Sequence, residues 1–215
     1  MFGVKDIELL QELFPNLTES QVKKLENFTD LLLEWNEKVN LISRKDTENI
    51  FVRHIIHSIS IARFISFADA TRVLDIGSGG GFPGIPLSIM FPEVQFMLVD
   101  SRQKKAMVMH DIVKRMNLQN VKIRAERAEK LKQKFDFITG RAVTNLPKFI
   151  ELSAHLLRPG FNSGIENGYL YLKGGKIEDE IDEEYFEFID LNSLLGHELY
   201  DDKYLVYLSF SNLRE

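Results

Sequence analysis

Between Val73 and Gly84 the chain reads Val-Leu-Asp-Ile-Gly-Ser-Gly-Gly-Gly-Phe-Pro-Gly, residue types suited to holding a nucleoside. Apolar Val73, Leu74 and Ile76 predict a short buried strand, and the glycines after it let the backbone turn sharply and approach a ligand with no Cβ in the way. Pro86 sets a helical φ near the start of the apolar run Ile85 to Met90, so a helix N-terminus with free N–H groups is expected to face that ligand. Asp100 stands about twenty residues beyond the loop, at the end of the next predicted strand, where a carboxylate can accept both ribose hydroxyls. Taken alone, it also suits the N-cap of the helix that follows. Arg127-Ala128-Glu129, after the third predicted strand, would bring backbone N–H groups and a small side chain to the rim of the sheet, or simply turn the chain.

The glycines fit two frames. Gly79-x-Gly81-x-x-Gly84 matches the dinucleotide fingerprint, whereas Asp75-x-Gly77-x-Gly79-x-Gly81 matches the loop of nucleoside-binding methyltransferases. In the dinucleotide frame the first glycine should follow the strand directly, but Gly77 holds that place and Phe82 then stands where the third glycine is required. The second frame fits the strand better.

These residues need elements to position them. Asp6 to Phe14 predicts a short helix ended by Pro15, and Thr18-Glu19-Ser20-Gln21 has the form of a capping box. Val22, Leu25, Phe28, Leu32, Trp35 and Val39 follow at helical spacing, so a second helix should run to about Asn40. A third, from about Thr47 to Phe64, carries Phe51, Ile55 and Ile59 on one face together with Arg53, His54 and His57, with residues 41–45 as the link before it. From Arg72 strand and helix alternate, the signature of a parallel sheet covered on both faces. Strands are expected at 73–76, 95–99, 121–124, 135–139 and 169–172, with helices at 84–90, 104–116 and 146–157 and a short turn at 128–131. Residues 161–168 should form an exposed loop. The runs 188–191 and 203–210 suit an antiparallel pair at one edge, completing a seven-stranded, mostly parallel sheet. Domain boundaries are expected at an N-terminal helical cap, 1–66, and one compact unit, 67–215.

The length of 215 residues suits one α/β domain with a small appendage. With no cysteine there is neither a disulfide framework nor a thiolate metal site. No run approaches the ~20 apolar residues that span a membrane, and the first residues lack the regions of a signal peptide, so a cytoplasmic protein is expected. The net charge of −5 opposes indiscriminate coating of nucleic acid. Charge is nevertheless uneven: residues 101–134 hold roughly eleven Lys and Arg against three acids, and residues 176–215 about twelve acids against three bases.

Taken together, Asn40-Leu41-Ile42-Ser43, Arg53-His54-Ile55, the Gly77 to Leu87 run with its Gly-Phe-Pro-Gly-Ile-Pro continuation, Val99-Asp100-Ser101-x-x-Lys104-Lys105, Arg127-Ala128-Glu129, Arg141-Ala142 and Leu172-Lys173-Gly174 resemble the bacterial small-subunit rRNA guanine-N7 methyltransferases of the glucose-inhibited division B (RsmG) family. The likeness spans about residues 35 to 175. It implies a class I methyltransferase fold of Rossmann-like type, S-adenosylmethionine as donor, and N7 of one guanine in 16S rRNA as acceptor. The partner would be the 30S subunit or an assembly intermediate, met by a monomer. Carried over position by position, the resemblance puts Gly77, Ser78, Gly79, Gly81 and Phe82 in the cofactor loop, Asp100 at the ribose, and Ala128 with Glu129 at the adenine. Arg141 falls at the cofactor and substrate mouth, and Asn40, Arg53, His54 and Lys173 on the RNA side. Gly140-Arg141-Ala142 departs from the family's Ser-Arg-Ala, His57 replaces an acid, and Asp202-Lys203 stands where an arginine is common.

Guanine N7 carries an in-plane lone pair and no proton, so no general base is required, and alignment and exclusion of water would carry the rate. Transfer leaves guanine cationic, which a nearby acceptor such as Asp75 or a backbone carbonyl could stabilise. His54 and His57, with no third ligand in view, suit a helix face better than a metal pair, and no metal site is expected. Lys104, Lys105, Lys114, Arg115, Lys122 and Arg124 could track an RNA backbone. Two other readings stand beside this one: a class I methyltransferase acting on a small molecule or protein, and a non-catalytic module that senses a nucleotide.

Overall fold

A computed structural model describes residues 2–175 and 185–214, so most of the acidic segment 178–187 lies outside the described residues. Helices α1 (Val4–Leu13) and α2 (Glu19–Asn36) open the chain. The capping box forms: Thr18 Oγ1 accepts from the Gln21 N–H at 3.2 Å, and Gln21 Oε1 accepts from the Thr18 N–H at 3.0 Å. Helix α2 stops four residues short of the expected end because Asn36 Oδ1 takes the N–H groups of Leu41 and Ile42 at 2.8 and 3.0 Å and turns the chain. The expected single helix over 47–64 is instead broken into α3 (Arg44–Thr47), a π-helical turn over Phe51–Ile56, α4 (His57–Ile59) and α5 (Ile61–Phe64). Ser43 caps α3 inside the expected link, and Ser60 Oγ bonds back to the His57 carbonyl at 2.8 Å where α4 gives way to α5.

Strand and helix then alternate as β1 (Arg72–Ile76), α6 (Gly84–Met90), β2 (Gln95–Val99), α7 (Gln103–Arg115), β3 (Val121–Arg124), β4 (Phe137–Arg141), α8 (Leu146–Ser153), β5 (Gly168–Gly174), β6 (Glu187–Asp190), α9 (Leu191–Leu195) and β7 (Lys203–Ser209). The sheet order is β3-β2-β1-β4-β5-β7-β6, with β1 to β5 parallel and β7 antiparallel to both its neighbours. Order reverses between β1 and β4, the switch point at whose carboxyl ends open α/β sheets hold ligands. Alternate residues of each strand feed opposite cores. Val73, Phe96 and Leu98 pack toward α2, α6 and α7, and Leu74, Met97 and Val99 toward α8.

Strand β4 lies two residues later than expected. Phe135 bridges Leu157 instead, and Asp136, fully buried, becomes a hub. Its carboxylate accepts from Arg158 Nε and Nη2 at 2.8 and 2.9 Å, from the Arg72 N–H at 2.9 Å, and from the amides of Asn162 and Asn167 at 2.9 and 3.0 Å. Asn167 is therefore buried, although the rest of the loop before β5 is largely open as expected. Burial alone would raise the Asp136 pKa, but the Arg158 guanidinium and the Arg72 N–H hold it below the usual carboxylate value. Asp136→Ala should cost about 3 kcal/mol by urea unfolding, because it strands five donors at once. The expected helix 146–157 also ends early, where Ser153 Oγ turns onto the Phe149 carbonyl at 2.6 Å, and a 3-10 turn over Ala154–Leu156 follows.

Candidate active site

The glycine turn after β1 is fastened from beneath. Gly77 (φ +69°), Gly79 (φ +57°) and Gly81 (φ +97°) all adopt left-handed backbone, which explains their identity. Gly77 N–H bonds the Val99 carbonyl at 2.8 Å, tying β1 to β2 at the switch point. Ser78 faces inward, its Oγ on the Asp75 carbonyl at 3.0 Å. Asp75 is fully buried, and its Oδ2 accepts from the Gly84 N–H at 3.0 Å. The first N–H of α6, expected to face a ligand, is thus taken by a carboxylate of the chain itself, while the Ile85 N–H goes to the Gly81 carbonyl at 2.7 Å. A Cβ on Gly84 would come within 2.7 Å of both Asp75 Oδ2 and Leu98, so glycine is needed for this closure.

Burial pushes the Asp75 pKa up to about 7, against the opposing pull of Ser78, the Gly84 N–H and Arg141. A carboxyl raised on folding contributes stability that is complete below its unfolded pKa and is lost as pH rises through the folded value. The thermal midpoint of the protein should therefore fall as pH rises from about 4 to 7, and fall less in Asp75→Asn; parallel melting curves across that range check this.

Asp100 lies 8% exposed at the end of β2. Its Oδ2 accepts from the Gly79 N–H at 3.0 Å and its Oδ1 from the Arg102 N–H at 2.8 Å. Each oxygen keeps a further lone pair. The residue does not cap α7, whose N-cap is Arg102. Gly77, Asp100, Ala128 and Glu129 line one cavity of about 260 Å³ with Ile76, Val99 and Leu152. Apolar walls for a purine face, a carboxylate with free lone pairs and an exposed Glu129 at the rim fit an adenosine, so the chemistry of these residues suits the nucleoside half of S-adenosylmethionine. Phe82 lies elsewhere: its ring is 3% exposed, meets Phe28 edge-on at 5.3 Å, and turns away from that cavity.

Phe82 instead floors a second group. The Arg141 guanidinium, on the last residue of β4, lies over the Phe82 ring at 4.8 Å, and His54 packs against the same ring at 5.0 Å. Arg141 lines a larger cavity of about 650 Å³ with Arg53, His54, Lys173 and Lys203 among its walls. Arg53 is held by Asp46 at 2.8 Å. Asn40 is exposed beyond α2 and does not line either cavity. Of the basic central stretch, Lys105 reaches the loop, its Nζ 3.5 Å from where a Cβ on Gly79 would stand, and Arg127 lines the smaller cavity.

One short segment divides the two cavities. Arg141, Ala142 and Thr144 line the larger and Val143 the smaller, and Val143 Cγ2 would stand 2.8 Å from a Cβ on Gly77. Tyr171 fixes this segment: its OH accepts from the Val143 N–H at 3.1 Å and donates to the Thr144 carbonyl at 2.9 Å. Ala142 adopts φ +53°, an uncommon conformation for a residue with a Cβ. Val143, Tyr171 and Tyr200 carry no signal in the sequence beyond their place in or beside apolar runs, and His57 reads there as part of a helix face with His54 and as a departure from the family pattern.

The profile of the family described as GidB, rRNA small subunit methyltransferase G, matches residues 21–194. The ribosomal RNA small subunit methyltransferase G of Flavobacterium johnsoniae is 43% identical over 196 residues, 91% of this chain and 94% of the relative. That of Phocaeicola vulgatus is 42% identical over 209 residues, 96% of this chain and 100% of the relative. Among solved structures, a mutant of MtNAS in complex with S-adenosylmethionine superposes with a TM-score of 0.56 at 12% identity, covering 88% of this chain and 76% of that one. Precorrin-6y C5,15-methyltransferase from Geobacter metallireducens gives 0.51 at 13% identity, covering 79% and 90%. At such identities the likeness is one of fold.

Proposed function

The chain belongs to the rRNA small subunit methyltransferase G family, whose activity is S-adenosylmethionine-dependent methylation of guanine N7 in 16S rRNA, and on that premise we propose which of its residues carry the transfer and in what form the RNA is met. The observation that carries this reading is the shared wall: a nucleoside-sized cavity and a cation-lined one lie on either side of Arg141–Thr144, at the sheet's switch point. Asp100 accepts the ribose hydroxyls, Ala128 and Glu129 meet the adenine, and Gly77 lets Val143 of the dividing segment close against the loop at the edge of that cavity. When bound, S-adenosylmethionine supplies the electrophilic methyl on its sulfonium. Asp75 and Ser78, both buried and engaged with the loop, hold the glycine turn rigid rather than touch the reacting atoms.

On the other side, the target guanine enters the cavity of about 650 Å³, which is large enough for a nucleotide taken out of its stack. Arg53, Lys173 and Lys203 surround it with positive charge for the flanking phosphates, and Arg141 stands between the cavities, where donor and acceptor must meet. N7 needs no base, so these residues work by aligning the nucleophile and excluding water. Asn40 and the helical segment 1–66 form the outer RNA-facing wall.

The preferred substrate is the 30S subunit or an assembly intermediate rather than naked rRNA. A net charge of −5 and the acidic C-terminal stretch disfavour unspecific RNA binding, which leaves recognition to shape. The protein works as a monomer in the cytoplasm. Its exposed large apolar side chains, Val4, Met107, Val143 and Phe161, are scattered singly, and among the described residues no helix is long and apolar enough to cross a membrane. Transfer of tritiated methyl to 30S subunits and to deproteinised 16S rRNA, both from cells lacking the modification, tests this. Faster labelling of the subunit is expected; faster labelling of naked RNA would overturn the preference.

A further inference from the structure

Arg141 is unusual in what it lacks. Among the described residues no ion pair involves it, and its partners are all neutral acceptors. Nη2 lies 2.7 Å from His54 Nδ1, and Nη1 lies 3.5 Å from His57 Nδ1 and 3.3 Å from the Arg53 carbonyl. A guanidinium has no lone pair to offer, so at 2.7 Å the His54 imidazole must present an unprotonated Nδ1 and carry its proton on Nε2, and the longer His57 contact fits the same tautomer. For His54 that N–H points toward Asp46, 4.0 Å away. For His57 it points into packed protein: the ring is buried against Tyr200 and Nε2 has no hydrogen-bond partner. The Arg53 carbonyl, which also accepts from Arg141 Nη1, is the competing partner for the ring nitrogen of His57.

We propose that His54 and His57 are positioning residues that cradle Arg141 through neutral acceptors, fixing the guanidinium without a contacting carboxylate and so leaving it to pair with an oxyanion of the bound substrates. A carboxylate in their place would hold the arginine as firmly but cancel its charge. The arrangement is self-consistent. Burial and then the Arg141 charge drive the His54 pKa down to about 4 and the His57 pKa well below the ordinary histidine value, so both rings stay neutral acceptors at physiological pH. Burial lowers the Arg141 pKa to about 10, which leaves it charged. The oxyanion is either the carboxylate of the donor's methionine or a phosphate of the target nucleotide.

This inference rests on the role given to Arg141 above, and its test separates the two. Asparagine places Oδ1 near the position of a histidine Nδ1, so His54→Asn and His57→Asn keep the acceptor, whereas His54→Phe keeps the ring on Phe82 and His57→Leu keeps bulk without it. The Asn variants should stay within about threefold of wild type in kcat/KM, and the Phe and Leu variants should fall about ten- to a hundredfold, the range that a hydrogen bond to a charged group spans, with thermal midpoints close to wild type. Calorimetry then locates the oxyanion. Weaker binding of S-adenosylhomocysteine with unchanged binding of 5′-methylthioadenosine, which has no carboxylate, assigns the donor; a raised KM for 30S subunits with unchanged S-adenosylhomocysteine binding assigns the phosphate. The cradle is overturned if His54→Phe matches wild type, or if His54→Asn is as impaired as His54→Phe. Should the His57 variants fail to fold, the His54 pair still decides. Wild-type turnover in Arg141→Ala would instead remove the underlying reading, and loss there with intact His54→Phe would remove the cradle alone.

Discussion

Arg141→Ala should lower methyl transfer by about a hundredfold or more in kcat/KM while the protein remains folded, a loss of the size seen when a preorganised charge is taken from a reaction site. The expectation of an intact fold has its own physical basis. A partly buried guanidinium with no paired carboxylate is a cost to stability, so its removal relieves a desolvation penalty even as it leaves His54 and His57 without their donor. The thermal midpoint should therefore stay level or rise slightly, and steady-state kinetics on 30S subunits beside melting curves will show whether activity and stability separate. Arg141→Lys should not rescue turnover, because an ammonium cannot span two imidazoles and a carbonyl with the planar fork that does so here.

Asp100→Ala is expected to weaken S-adenosylhomocysteine binding about a hundredfold by calorimetry. Two hydroxyl contacts to a charged acceptor are lost, each worth about 1.5–3 kcal/mol at best, and tenfold in affinity corresponds to about 1.4 kcal/mol. A hundredfold is about 2.8 kcal/mol, just below the smallest sum of the two contacts, and loss of the anchor to the Gly79 N–H adds to it, so a hundredfold is the smallest effect expected. Asp100→Asn, which keeps one oxygen acceptor, should fall between the variant and wild type. If both bind S-adenosylhomocysteine as tightly as wild type, the ribose lies elsewhere.

Much of this site could be read from residue order alone. The register of the glycines against the preceding strand selected the methyltransferase frame, because Gly77 and not Gly79 follows Ile76, and the left-handed backbone at Gly77, Gly79 and Gly81 gives that frame its physical reason. Parallel alternation is legible for a related cause: β1 and β2 are short, largely apolar runs and β3 alternates apolar with charged residues, all separated by helical periods. Strand β4 was placed two residues early because Phe135 is as apolar as the strand proper, and only the tertiary hub at Asp136 shows where pairing begins.

The less legible parts are those made by distant segments. The lock between Asp75 and Gly84 spans nine residues and inverts the simple reading of a helix end that awaits a ligand. The larger cavity draws on Asp46 to His57, Arg141 to Thr144, Tyr171 to Gly174 and Leu199 to Lys203, which no local period connects. The resemblance puts Phe82 in the cofactor loop, but its ring serves as the floor beneath Arg141 and His54 and does not line the nucleoside cavity. His57 reads in the sequence as a helix-face residue and a departure from the family pattern, and the fold alone brings its Nδ1 to 3.5 Å from the guanidinium.

The most direct measurement is borohydride reduction and aniline scission of 16S rRNA, which cuts the chain at N7-methylguanosine, in cells with the gene deleted and complemented. The account predicts that one scission site disappears on deletion, returns with the wild-type protein, and stays absent with Arg141→Ala. A site that persists without the protein, or one fully restored by Arg141→Ala, would contradict it.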